Sequence, residues 1–157
     1  MKKLARNLCS TGLTLHSSRS RFAARLNSGV RHVEEDLRQL IELSIKRQGG
    51  NPLWPGFQPF CDQHGIDKDR FCYLFAKVVA DEFVHGEMSY ADGDIAMNQL
   101  YAIMDIDLRG FPMDVYLAFD AGEFYRDTDA EGTIPWQKYT LPAVMEALVS
   151  EGLRPRA

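Results

Sequence analysis

DKDRFCYLFAKVVADEFVH, residues 67–85, is the stretch on which the fold turns. Phe71, Leu74, Phe75 and Val78 recur at helical spacing, and Cys72, Ala76, Val79 and Phe83 form a second stripe beside them. A helix that is apolar around more than half its circumference is normally one wrapped by neighbours. Asp67 suits the N-cap, Asp69 suits the positive end of the helix dipole, and Gly86 is a natural stop. Burying each large side chain contributes roughly 1.5–3 kcal/mol, so this helix is expected to supply most of the core.

Working outward, a first helix is predicted over residues 32–48. Val33, Leu37, Leu40, Ile41 and Ser44 share one face, with acids at its start and Lys46 and Arg47 near its end. Residues 51–56 read as a loop with Trp54 as an aromatic plug, followed by a short helix over 57–64 with Pro59 in its first turn. Ser89, with Asp92 three residues on, opens a fourth helix whose apolar side is Ile95, Leu100, Ile103 and Met104. A polar turn at 105–110 leads to a fifth helix from Pro112, carrying Val115, Tyr116, Phe119 and Phe124, with Gly122 weakening its end. After an acidic loop at 127–132, residues 134–136 form an irregular crossing. Thr140 is then expected to cap a last helix with Val144, Met145, Leu148 and Val149 as its apolar positions.

No segment alternates with period two, so the reading is all-α: an irregular bundle of five to six helices packed around the central helix 67–85. One domain is expected over residues 31–157, preceded by a basic, disordered leader over 1–30. The 157 residues are 45% hydrophobic and 25% charged, which is ample for one core. No stretch approaches the ~20 apolar residues that span a bilayer. Three cysteines, Cys9, Cys61 and Cys72, are too few and too irregular for a disulfide framework.

The net charge of −4 conceals an asymmetry. Residues 1–33 hold seven basic side chains and no acid, whereas residues 34–157 hold 11 basic against 22 acidic side chains. A body this acidic repels nucleic acid and anionic membrane and attracts basic partners or cations. The Arg/Ser-rich leader lacks a secretory apolar region; it suits a mitochondrial transit peptide, a disordered leader or an over-extended start. The expected location is cytoplasmic, or the mitochondrial matrix if the leader is a transit peptide.

Three patterns bear on chemistry. Residues 127–134, DTDAEGTI, place Asp127, Asp129 and Glu131 at ligand positions one, three and five, with Gly132 at six and Ile134 at eight. That order resembles the calcium loop of EF-hands, but Lys138 stands where the family carries a bidentate glutamate. Glu82-x-x-His85 has the spacing of carboxylate-bridged di-iron bundles but occurs once. Cys61, His64, Cys72 and His85 match no zinc spacing. There is no serine elbow, phosphate loop or dinucleotide fingerprint. Asp81, Asp94, Asp114, Asp120 and Glu123 are carboxylates that a fold might bring together.

Aromatic residues crowd the last third: Phe111, Tyr116, Phe119, Phe124, Tyr125, Trp136 and Tyr139. An exposed subset beside Asp120, Glu123 and Asp127 would make an acidic, aromatic docking face. VYLAFDAGE at 115–123 and KYTLP at 138–142 resemble pieces of small acidic bacterial proteins of unknown function, over about residues 88–157. The resemblance implies no activity or site, and it favours an over-extended reading frame over a transit peptide.

The leading expectation is a non-catalytic acidic protein-binding module, of adaptor or immunity type, with no cofactor. It would bind another protein, a basic one by charge, through Asp120, Glu123, Tyr125 and Trp136. The alternatives are a weak divalent-cation (calcium) binder using Asp127, Asp129 and Glu131, and an enzyme with dispersed carboxylates.

Overall fold

The computed structural model describes residues 17–46, 53–104 and 107–153, with side chains from His32 onward in the first helix and from Pro55 in the second. All regular structure among these residues is helical: α1 Ser17–Lys46, α2 Leu53–His64, α3 Lys68–Val84, α4 Tyr90–Ile103, α5 Phe111–Asp120 and α6 Leu141–Ser150. A π-helical turn, Trp136–Thr140, runs directly into α6. The chain divides at Val33 into two units, and every side chain discussed below belongs to the second.

The central helix forms as its sequence dictates. Asp67 caps α3 by accepting the Arg70 amide at 2.8 Å, and Gly86, at φ 72°, turns the chain out of it. Phe71, Cys72, Leu74, Phe75, Ala76, Val78, Val79, Ala80 and Phe83 are all buried. α4, α5 and α6 pack on α3 directly. α1 reaches its polar side through ion pairs, Glu34 with Lys77 at 2.5 Å and Arg38 with Glu82 at 2.8 Å. The aromatic rings of Phe57 and Phe60 on α2 meet Phe71 edge-on. α3 is therefore enclosed by apolar packing on one side and ion pairs on the other.

Two helices start earlier than their sequence suggests. α1 begins at Ser17, inside the segment read as a disordered leader; residues 1–16 lie outside the described residues. α2 begins at Leu53, so residues 53–56, expected as loop, are its first turn, and Pro59 sits within the helix rather than at its start. Pro55 falls in the first turn, where a missing N–H costs nothing. The helix expected at 32–48 ends at Lys46, and its face is as read: Leu37, Ile41 and Ser44 are buried, with Val33 and Leu40 packed beside them.

On the later helices Leu100, Ile103, Met104, Val144 and Leu148 are buried as expected, but small residues complete the buried faces and displace other expected positions outward. On α4 the buried stripe is Gly93, Ala96, Met97, Leu100 and Ile103, which leaves Ile95 on the opposite face and exposed. A Cβ on Gly93 would lie 2.6 Å from the Phe119 ring, so glycine is what lets α4 and α5 approach this closely. On α6 the buried set is Val144, Ala147 and Leu148, which turns Met145 and Val149 outward. Phe124 lies beyond the end of α5 and is 69% exposed rather than core.

Thr140 is not a cap. It has helical backbone angles, makes no capping bond and is fully buried, with its hydroxyl oxygen lacking a partner. The reason is the π turn, in which the Leu141 amide donates to the Trp136 carbonyl and carries the helix past Thr140. Gly122 packs against the turn: a Cβ there would lie 2.1 Å from Thr140 Oγ1 and 3.0 Å from Trp136 Cα.

Candidate functional site

The second half of the molecule gathers its carboxylates on one seam. Tyr90, Asp94, Asn98 and Tyr101 follow one side of α4, and Tyr116 and Asp120 follow the facing side of α5. α5 closes through Ala121 and Gly122 amides donating to Leu117 and Phe119 carbonyls, and the Glu123 amide donates to Asp120. Because Gly122 is pressed against Thr140 and Trp136, this closure has little freedom, and it delivers Glu123 to Asp94.

Asn98 favours the ionised form of the Asp94 carboxyl, whereas Glu123 disfavours it. Burial, and then the neighbouring charge of Glu123, push it up to about 6, with Asp120 adding to the effect. Burial also pushes the Tyr90 hydroxyl up to about 12, assisted by the same three carboxylates. That hydroxyl donates to the Phe119 carbonyl at 3.0 Å. Tyr116 is likewise raised by burial and then by Asp120, and its ring stacks on Tyr101 at 4.1 Å. Among the described residues no Lys, Arg or His forms an ion pair with Asp94, Asp120 or Glu123. Among the described residues the seam is a concentration of negative charge with no ion-paired cation.

Phe124 and Tyr125 follow immediately, 69% and 70% exposed. Three of the four residues expected at a docking face, Asp120, Glu123 and Tyr125, are therefore at the surface around this seam. Trp136 is placed differently. It is half-buried, with its ring 5.9 Å from Phe83 and stacked 6.2 Å from Tyr90, so it supports the seam from beneath.

The acidic loop is organised around Asp129. Its carboxylate accepts the Arg126 amide at 2.8 Å, the Lys138 ammonium at 2.6 Å and the Tyr139 hydroxyl. The backbone amide and these two side chains hold Asp129 down to about 2. The Arg126 guanidinium lies over the Tyr139 ring, 3.9 Å from its centroid. Gly132, at φ 82°, makes the sharp turn its position suggests. The ligand reading fares differently. Lys138 serves as the internal counter-charge of Asp129, while Asp127 and Glu131 stand exposed. Among the described residues no three His, Cys, Asp or Glu side chains are grouped as a metal site.

The remaining patterns also dissolve into local contacts. Glu82 turns to Arg38, and burial pushes its carboxyl up despite that partner. His85 Nδ1 donates to the Asp81 carbonyl at 2.5 Å. His64 faces Asp36 at 3.2 Å, and Cys61 and Cys72 are buried free thiols, Cys72 pushed up to about 12 by burial.

The sequence offers Asp94 only as one of several carboxylates, and Tyr90 and Tyr101 are not among the candidate residues. The Tyr90–Asp94–Asn98 spacing was a visible signal; the register of α5 against α4 was not. Comparison with protein-family models, curated proteins and solved structures finds no match. No described helix is long and apolar enough to cross a membrane.

Proposed function

We propose that this protein is a docking module that recognises a basic segment of another protein at the seam between α4 and the end of α5. One observation carries the reading: Asp94, Asp120 and Glu123 are close enough to shift one another's acidity, none has an ion-pair partner among the described residues, and the exposed rings of Phe124 and Tyr125 follow directly in the chain. Like charges kept in contact lower one another's acidity at an energetic cost, and a bound Lys or Arg relieves it. Arginine also stacks on aromatic rings, so the neighbouring pair suits the same ligand. Charge would speed encounter and select the partner, and the aromatic rings would supply contact area.

The test is affinity capture with the full chain, followed by binding measurements on the purified captured partner. The double charge reversal Asp120→Lys/Glu123→Lys should weaken binding by about tenfold or more, and the wild-type interaction should weaken with salt. Phe124→Ser/Tyr125→Ser should weaken it too, with the melting temperature within about 2 °C of wild type in both cases. Undiminished capture by the charge-reversed chain would remove this face as the docking site.

One observation favours an enzyme as the second reading. Asp94, at about 6, has the acidity of a general acid working near neutral pH. A screen in which Asp94→Asn abolishes a turnover that the wild-type chain supports would promote that reading over docking.

A further inference from the structure

The geometry points to a second docking site, the groove between α5 and α6, that accepts one amphipathic helix of a partner, with an aliphatic stripe flanked by Lys or Arg. This rests on the docking reading above and adds to it a separate surface and the partner's secondary structure. The groove encloses ≈ 360 Å³. Ala118 from α5, Ala121 just past its end, and Ala143 and Ala147 from α6 line it. Such small side chains lower the surface and let a third backbone settle closer than the usual 8–10 Å between helix axes. Leu117 stands at its edge as an apolar knob, 51% exposed.

Charge identifies the flanks of the occupant. Asp114 stands on the α5 side of the groove and Glu146 on the α6 side, both exposed, and no Lys, Arg or His lines it. An occupant with basic residues on both flanks meets a carboxylate on each wall.

The conformation of the occupant follows from what the walls offer. An added β-strand needs a sheet edge, and among the described residues there is no strand. Proline-rich ligands need aromatic rails, and phosphorylated ones need arginine clusters; the lining holds neither. A helix laid along the groove needs only an apolar trough. Asp114 to Ala121 runs roughly 10 Å at 1.5 Å per residue, enough for anchors at i, i+4 and i+7 of the incoming helix. Steps of 100° along α5 put Leu117 and Ala121 on the flank towards α6, and Tyr116 and Asp120 on the flank towards α4. The groove and the carboxylate seam are therefore separable by mutation.

The test uses the full chain, isotopically labelled, and a synthetic helical peptide with Leu at i, i+4 and i+7 and Lys or Arg on both flanks. Amide shifts are expected at Leu117, Ala121, Ala143 and Ala147. Leu117→Lys and Asp114→Lys/Glu146→Lys should each weaken binding by about tenfold at unchanged melting temperature, while Asp120→Lys/Glu123→Lys changes it by less than about threefold. Shifts confined to 120–125 would overturn the groove site and leave the seam standing. Equal binding of a peptide with Glu in place of Lys would overturn the basic occupant. Self-association of the unliganded chain, lost in Leu117→Lys, would replace the partner helix with a second copy. Absence of peptide binding would also overturn the groove site, whereas the seam is judged by its own capture assay.

Discussion

α3 and the segment from α5 to the π turn use aromatic residues in opposite ways. In α3 every Phe and Leu is buried, and its rings meet others in a continuous chain from Phe57 through Phe71 to Phe75. In the later segment Phe119 is enclosed, Trp136 is half-buried and Phe124 and Tyr125 are in solvent. The first region is organised by volume: residues are large because space must be filled. The second is organised by clearance, with Gly93 and Gly122 kept small so that Phe119 and Thr140 can lie where they do. A helix filled by volume tolerates loss poorly, and a junction set by clearance tolerates addition poorly.

That contrast can be broken experimentally, the largest effect coming from α3. Phe75→Ala deletes a fully buried ring and should destabilise by about 4 kcal/mol in denaturant unfolding. A cost near that of a surface substitution would mean that α3 is not the centre of the core. Gly122→Ala adds a single carbon yet should cost about 3 kcal/mol, because the carbon meets both Thr140 Oγ1 and the Trp136 backbone. Adding Thr140→Ala should restore part of the loss, since it removes the nearer obstacle and an unpartnered buried hydroxyl. Strict additivity of the two changes would show that the clash is not the cause.

The smallest effect concerns charge. The Asp94 carboxyl, at about 6, holds its proton more tightly in the folded chain than the ~3.9 of an unfolded aspartate. The folded state then binds more protons between those values, so this group's favourable contribution is present at low pH and is lost as pH rises through about 6. Asp94→Asn should accordingly raise stability at about pH 7.5, by about 1 kcal/mol once solvent screening of this partly exposed group is allowed for, and give no gain near pH 4. A gain independent of pH would separate Asp94 from the charge of Glu123 and weaken the docking reading with it.

The exposure of Asp120, Glu123 and Tyr125 was legible, because charge is a property of single residues and residues at the end of a helix reach the surface easily. Asp94 was not singled out, because its distinction is a neighbour twenty-nine residues away that only the packing of α5 on α4 supplies. The acidic loop was legible as a turn through Gly132, whereas the pairing of Asp129 with Lys138 depends on how the loop folds back on the π turn.

By itself the sequence determined that the chain is helical, that residues 67–85 lie at its centre and that Asp67 and Ser89 begin helices. These follow from periodicity and from bonds made within a few residues. The tertiary structure alone decided which faces of α4 and α6 are inside, where Thr140 and Trp136 go, and which carboxylates meet. Those outcomes depend on how closely two backbones approach. That distance is set jointly by small residues on one element and large ones on another, and neither element records it alone.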